Sequence, residues 1–123
     1  MVDHAAKVAA VEAYIAAFAN SDPDAVVAIF AEDATVEDPI GTPIHKGHAA
    51  IREFYAASMK TGAKLSLDTP VRTAEGYAAF AFTVKLNYGG EKTIQVIDTF
   101  KFNDAGKVIE MRAFWSPNNM TGF

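Results

Sequence analysis

Beyond Gly62 the chain changes texture. Apolar residues alternate with polar ones, or run together, at about 63–73, 77–88, 92–102 and 107–115, with "AEG", "GGE" and "NDAG" between them. Period-two alternation broken by short Gly- and Asn-bearing turns predicts strands, and tight turns join only antiparallel neighbours. Before Gly62 the spacing is helical. Over 4–19, Val8, Val11, Ile15 and Phe18 recur three and four apart, with Tyr14 on the same face. "NSDPDAVVAIF" restarts a helix, with Asp22 as N-cap and Pro23 as first helical residue. Thr35 to Asp38 forms a short strand stopped by Pro39 and Gly41. From Gly47, "HAAIREFYAASM" predicts a third helix with Ile51, Phe54, Tyr55 and Met59 on one side. Three helices followed by a meander predict an α+β fold: N-terminal helices packed on a curved, mainly antiparallel sheet, with room for an apolar pocket between the layers.

The chain's 123 residues fit one domain, 1–123, and half of them are hydrophobic, enough for a real core. A net charge of -4 with no basic stripe speaks against nucleic acid as a partner. No apolar run is long enough to span a membrane, and the charged N-terminal stretch does not read as a secretory signal. The absence of cysteine excludes disulfides, thiolate metal sites and cysteine nucleophiles. A cytoplasmic location is the expectation.

Two strands carry acids in informative places. In "ATVEDPIGTP", Val36 and Asp38 share one face and Glu37 takes the other. With Val36 in the core, Asp38 points inward and Glu37 to water; alternatively Asp38 is a turn-former before Pro39. In "TIQVIDTFKF", Asp98 lies between Val96 and Phe100 on an otherwise apolar face. A carboxylate there would lose its hydration, so the protonated form, a hydrogen-bond donor, is expected near neutral pH unless the strand register turns Asp98 outward. Phe80, Phe82, Val84 and Leu86 alternate on one neighbouring strand, and Ile109, Met111, Ala113 and Trp115 on the last. With the acids, such stripes read as a dry pocket lined by Phe54, Phe82, Val84, Leu86, Val96, Met111 and Trp115. Tyr14 can donate to a ligand oxygen, and Tyr55 can support it. His45 and His48 straddle a helix start and make a poor metal site, and the serines lack a nucleophile-elbow motif.

These residues have a known counterpart. "AEDATVEDPIG", "IREFYAASMK", "AFAFTVKLNY" and "VIDTFKFNDAGKVIEMRAFW", with Tyr14, make a pattern that resembles the ketosteroid isomerases, within the nuclear transport factor 2-like superfamily, nearly end to end. By position, the resemblance implies that Asp38 is the general base, that Tyr14 and Asp98 are oxyanion-hole donors, and that Tyr55 hydrogen-bonds Tyr14. A neutral carboxylic acid in that role is already an established example from this family. The implied reaction moves a proton from C4 to C6 of a 3-oxo-Δ5-steroid through a dienolate, with no metal or cofactor. Phe30 stands where some members carry another tyrosine, which implies a smaller hydroxyl network; Trp115 either lines the pocket or supplies an indole N–H. A polyketide cyclase or dehydratase on the same fold, or a non-catalytic carrier of apolar ligands, is the alternative.

If Met111 faces the pocket, Val108, Glu110, Arg112 and Phe114 face outward, as do Ile97 and Thr99. An apolar outer surface of that kind suits a homodimer, the state the resemblance also implies, in which Arg112 would meet an acid of the second copy.

Overall fold

The computed structural model describes residues 2–87 and 89–123. Asp3 starts the first helix, its carboxylate accepting from Ala6 N–H at 2.8 Å. Helix α1 (His4–Ala19) buries Val11, Tyr14, Ala17 and Phe18, while Val8 and Ile15 are only half-buried. The inward stripe is thus rotated toward Tyr14 relative to the sequence reading. Alanines on every side of this helix leave its apolar face weakly marked, so packing against the sheet sets the rotation. Lys7 is buried on the same side, its ammonium donating to the Glu75 carbonyl.

Asp22 and Pro23 start α2 (Pro23–Val27) as expected, with Asp22 accepting from Ala25 N–H at 3.1 Å. The helix stops short of the span anticipated for it. Phe30 already belongs to β1 (Phe30–Glu37), which runs parallel to the last long strand from Phe30 opposite Val108 to Glu37 opposite Arg112. The residues that end "AVVAIF" are β-branched or aromatic, and strand pairing overrides a weak helical preference there. The two-residue strand β2 (His45–Lys46) leads into α3 (Gly47–Met59), which buries Ile51, Tyr55 and Met59.

The stretch expected as one strand at 63–73 is split into β3 (Lys64–Leu67) and β4 (Arg72–Ala74), both paired with β5 (Tyr77–Asn87). "DTP" interrupts it, because Pro70 has no N–H for the ladder. β5 and β6 (Glu91–Phe102) form a long hairpin, Tyr77 opposite Lys101 through Asn87 opposite Glu91. Tyr88, within the expected strand and turn, lies outside the described residues. β7 (Val108–Phe114) follows, then a 3-10 turn (Pro117–Asn119) and β8 (Met120–Thr121), neither of which the alternation pattern predicts.

The strands form one mixed, curved sheet in the order β2-β1-β7-β6-β5-β3, with β4 on β5 and β8 on β6. α1 packs on β3 and β5, and α3 on β1, so the architecture is α+β as expected. The register of β7 differs from the sequence reading at its start. Lys101 faces Glu110 but Phe102 faces Val108, which leaves Ile109 as the extra residue of a bulge. Val108 is therefore buried rather than outward, and Ile109 is only half-buried. None of the helices is long and apolar enough to cross a membrane among the described residues.

Candidate active site

A cavity of ≈ 490 Å³ opens between α1, α3 and the concave sheet. Its wall is almost wholly apolar: Phe18, Phe54, Leu65, Phe82, Val84, Leu86, Ile94 and Val96 contribute, together with Met120 and Phe123 near the chain's last residues. Size and lining suit a small apolar ligand fixed by a few polar groups. Three of those groups stand together at one part of the wall: Tyr14 from α1, Asp38 one residue beyond β1, and Trp115 one residue beyond β7.

Asp38 takes the inward face, and Val36 below it is fully buried. The indole N–H of Trp115 donates to Asp38 Oδ1 at 2.7 Å, so Trp115 both lines the cavity and supplies its N–H. Burial raises the Asp38 pKa above the usual carboxylate value, while the Trp115 hydrogen bond and then the charge of His45 pull it back. The outcome is a carboxylate more basic than in water that is still stabilised as an anion by a fixed donor.

Asp98 sits in mid-β6, opposite Phe80 on one side and Ala113 on the other, and is 1% exposed. Neither carboxyl oxygen has a hydrogen-bond partner among the described residues. Burial pushes its pKa well above the carboxylate range and the charge of Asp38 adds to this; the nearby Tyr14 hydroxyl pulls the other way without reaching hydrogen-bond geometry. Burial and the charge of Asp38 thus both favour the protonated form of the group. Asp98 lies behind the cavity wall rather than on it.

Tyr14 donates to the Tyr55 hydroxyl at 3.1 Å, both phenols being buried. Burial, mainly, raises both pKa values well above 10.0, so each hydroxyl keeps its proton. Phe30 packs on Tyr55 with ring centroids 6.1 Å apart and has no hydroxyl with which to extend the pair. The rings of Phe80 and Phe100 stand edge-on to Tyr14 and fix its orientation.

Some expectations need correction. Met111 does not line the cavity; it is fully buried in β7, between Val36 of β1 and Phe100 of β6. Glu37 is not a free solvated acid. Parallel pairing sets it beside Arg112, whose Nε lies 3.4 Å from Glu37 Oε1 with both side chains less than a fifth exposed. Arg112 also pairs with Glu110 of the same chain at 3.0 Å. His45, which the sequence offers only as a poor metal ligand, is set opposite Val36 by β2 pairing, where its charge acts on Asp38 while its ring packs on Phe54 at 4.5 Å. His48 turns away and donates to the Phe30 carbonyl at 2.9 Å.

The model of the SnoaL-like domain matches residues 11–111. The chain belongs to the SnoaL-like family. Within it, the steroid Delta-isomerase of Nocardioides simplex is 43% identical over 114 residues, 91% of each chain. Among solved structures, SalBIII, an epoxide hydrolase/cyclase-like enzyme of pyran ring formation in the polyether salinomycin, superposes with a TM-score of 0.92 at 25% identity over the whole of both chains. RV0760c of Mycobacterium tuberculosis, in complex with estradiol-17β-hemisuccinate, superposes with a TM-score of 0.86 at 20% identity over 94% of this chain and 98% of the other. The fold is the nuclear transport factor 2-like one.

The SnoaL-like match spans Tyr14, Asp38, Tyr55 and Asp98 but ends before Trp115 and the segment after it. Met120, Phe123, Ile94 and Leu65 are among the lining residues that sequence reasoning missed. Ile94 does carry a signal, since it continues the inward series of Val96 and Asp98 by two residues. The other three reach the cavity through the path of the chain after β7 and the placing of β3 against α1, which no local period reveals.

Proposed function

We propose that this SnoaL-like protein is a steroid Delta-isomerase that converts 3-oxo-Δ5-steroids to their 3-oxo-Δ4 isomers, acting as one domain. The observation that carries the reading is a basic carboxylate, Asp38, and a protonated phenol, Tyr14, sharing one apolar cavity, with a neutral acid, Asp98, directly behind. The 43% identity with the Nocardioides simplex enzyme supports it.

Asp38 removes a proton from C4, and the electron pair shifts through C3 to leave negative charge on the 3-oxygen. Tyr14 and Asp98 donate to that oxygen. Hydroxyl protons rotate, so Tyr55 can donate to Tyr14 while Tyr14 turns its own proton to the ligand. Asp38 then delivers the proton to C6, and the C5–C6 double bond becomes C4–C5. The raised pKa of Asp38 brings its basicity nearer to neutral pH, where a general base works best, while donors in a dry site stabilise the dienolate. A proton moved within one molecule needs neither metal nor cofactor.

The test is 5-androstene-3,17-dione with ultraviolet detection of the conjugated enone. Absorbance grows with the protein and fails to grow above the buffer rate if the proposal is wrong. Binding of the steroid without turnover would instead support a carrier. His45 near Asp38 is the one observation that favours an acid–histidine enzyme such as a dehydratase, but His45 does not line the cavity.

We also propose a homodimer, in the cytoplasm. Ile97 and Phe114 are cross-strand partners on the outer face of the sheet, 49% and 50% exposed. Two such side chains, side by side, form an apolar patch that a second copy would cover.

A further inference from the structure

Phe54 stands between two cavities. One side faces the apolar cavity that holds Asp38. The other faces a side pocket of ≈ 340 Å³ walled by β2 and α3, where His45, Ala50, Glu53 and Ala57 join Phe54. Glu53 and Ala57 are exposed and His45 is half-buried, so water reaches the imidazole from outside the apolar cavity.

Strand pairing sets the spacing of His45 from the base. Val36 lies opposite His45, and directly opposed residues put their side chains on one face. Asp38, two residues past Val36, shares that face and has His45 as its diagonal neighbour. Diagonal neighbours stand roughly 7–8 Å apart, too far to pass a proton and near enough to feel a full charge. The ring of Phe54, 4.5 Å away between centroids, keeps the imidazole in place. Around His45, α3 presents Glu53 in the side pocket and His48, which is turned to the Phe30 carbonyl. β1 presents Asp38, with Glu37 on the opposite face beside Arg112 of β7, and Lys46 on β2 itself is exposed.

Two groups thus stabilise the Asp38 anion, and they differ in kind. The Trp115 N–H is a donor at every pH. Histidine ordinarily gains its charge only as the pH falls through about 8 to 5. We propose that His45 acts through Asp38 as a conditional counter-charge: its imidazolium, present in acid, holds the carboxylate ionised, and its loss toward neutral pH leaves the base at full strength. The inference deepens the isomerase reading and rests on it for the proton that Asp38 takes. Burial raises the Asp38 pKa, and the opposing influences, Trp115 first and His45 second, agree with this arrangement.

The test compares His45→Gln, which has no charge, with His45→Arg, whose planar cation is permanent and stacks on aromatic rings. At this spacing, with water on one side, a unit charge moves a carboxylate midpoint by about half a unit to one unit. Carbon-13 spectra of aspartate-labelled protein, with the Asp38 signal assigned by its loss in Asp38→Asn, read that midpoint without any steroid. It rises by this amount in His45→Gln and stays at the wild-type position in His45→Arg. With 5-androstene-3,17-dione, the acid limb of kcat/KM moves up in His45→Gln by the same amount. At pH 8 His45→Arg has a kcat about twofold below wild type, because its charge still weakens the base. A variant that merely lost packing moves neither midpoint nor limb. An Asp38 midpoint common to wild type and His45→Gln would overturn the proposal, as would a His45→Arg kcat equal to wild type at pH 8. If wild type turns over no steroid, the isomerase reading fails and the carbon-13 midpoints alone decide the role of His45.

Discussion

Asp38, Asp98 and Trp115 divide the work of one small polar cluster, and each can be removed without changing much volume. Asp38→Asn cannot accept the C4 proton, so turnover falls by about 10²–10⁴-fold or more with steroid affinity largely kept; wild-type turnover would remove Asp38 as base. Glu37→Gln is the neighbouring control. It keeps kcat, but it breaks the half-buried pair with Arg112 and costs on the order of 1 kcal/mol in a denaturation experiment. Asp98→Asn retains an N–H donor and Asp98→Ala does not, so Ala loses more turnover, about 10²–10³-fold. The pH dependence of stability has a definite sign. The folded Asp98 holds its proton where the unfolded one has lost it, so the native state binds more protons and stability declines as pH rises above about 4, up to the raised native pKa. Asp98→Asn has no such proton, and its Tm relative to wild type climbs across that window; a pH-independent difference would mean that the native carboxyl is not neutral. Trp115→Phe deletes the donor that lowers the Asp38 pKa, and the acid limb of the kcat/KM profile moves to higher pH.

The sheet elements explain why the acids are legible and part of the wall is not. β6 alternates strictly, Val96, Asp98, Phe100 and Phe102 inward with Gln95 and Ile97 outward, because it is paired along both edges and cannot slip a residue without inverting its faces. The start of β7 breaks that rule at Ile109, the unpaired residue of the bulge. A simple pair of variants tests the register. Val108→Ala opens a hole in the core and costs on the order of 2 kcal/mol, whereas Ile109→Thr costs well under 1 kcal/mol, both read by chemical denaturation. The opposite ranking would restore the plain alternation.

For the whole molecule, the concave face of the sheet is filled by helices and cavity, and its convex face carries Ile97 and Phe114 into solvent. Phe114→Asp puts a charge in the proposed dimer contact. Sedimentation equilibrium at micromolar concentration gives a dimer for wild type and a shift toward monomer for the variant; a monomeric wild type would end the dimer proposal and leave the cavity assignments standing. Arg112 is engaged by Glu37 and Glu110 of its own chain.

Helices α1 and α3, the β5–β6 hairpin and the inward aim of Asp38 and Asp98 were all set by local pattern: capping residues, turn glycines and a period of two or near four. Those signals act over a few residues, and they survive folding because the core rewards the same faces. What tertiary structure alone decided joins residues far apart in the chain. Trp115 meets Asp38 across 77 positions, Arg112 meets Glu37 only because β1 runs parallel to β7, and Met120 reaches the cavity only because β8 returns to β6. No local period encodes which strand lies beside which. That choice is made by burying all the apolar faces at once, and it gave Asp38 a fixed indole donor and left Asp98 in a dry wall.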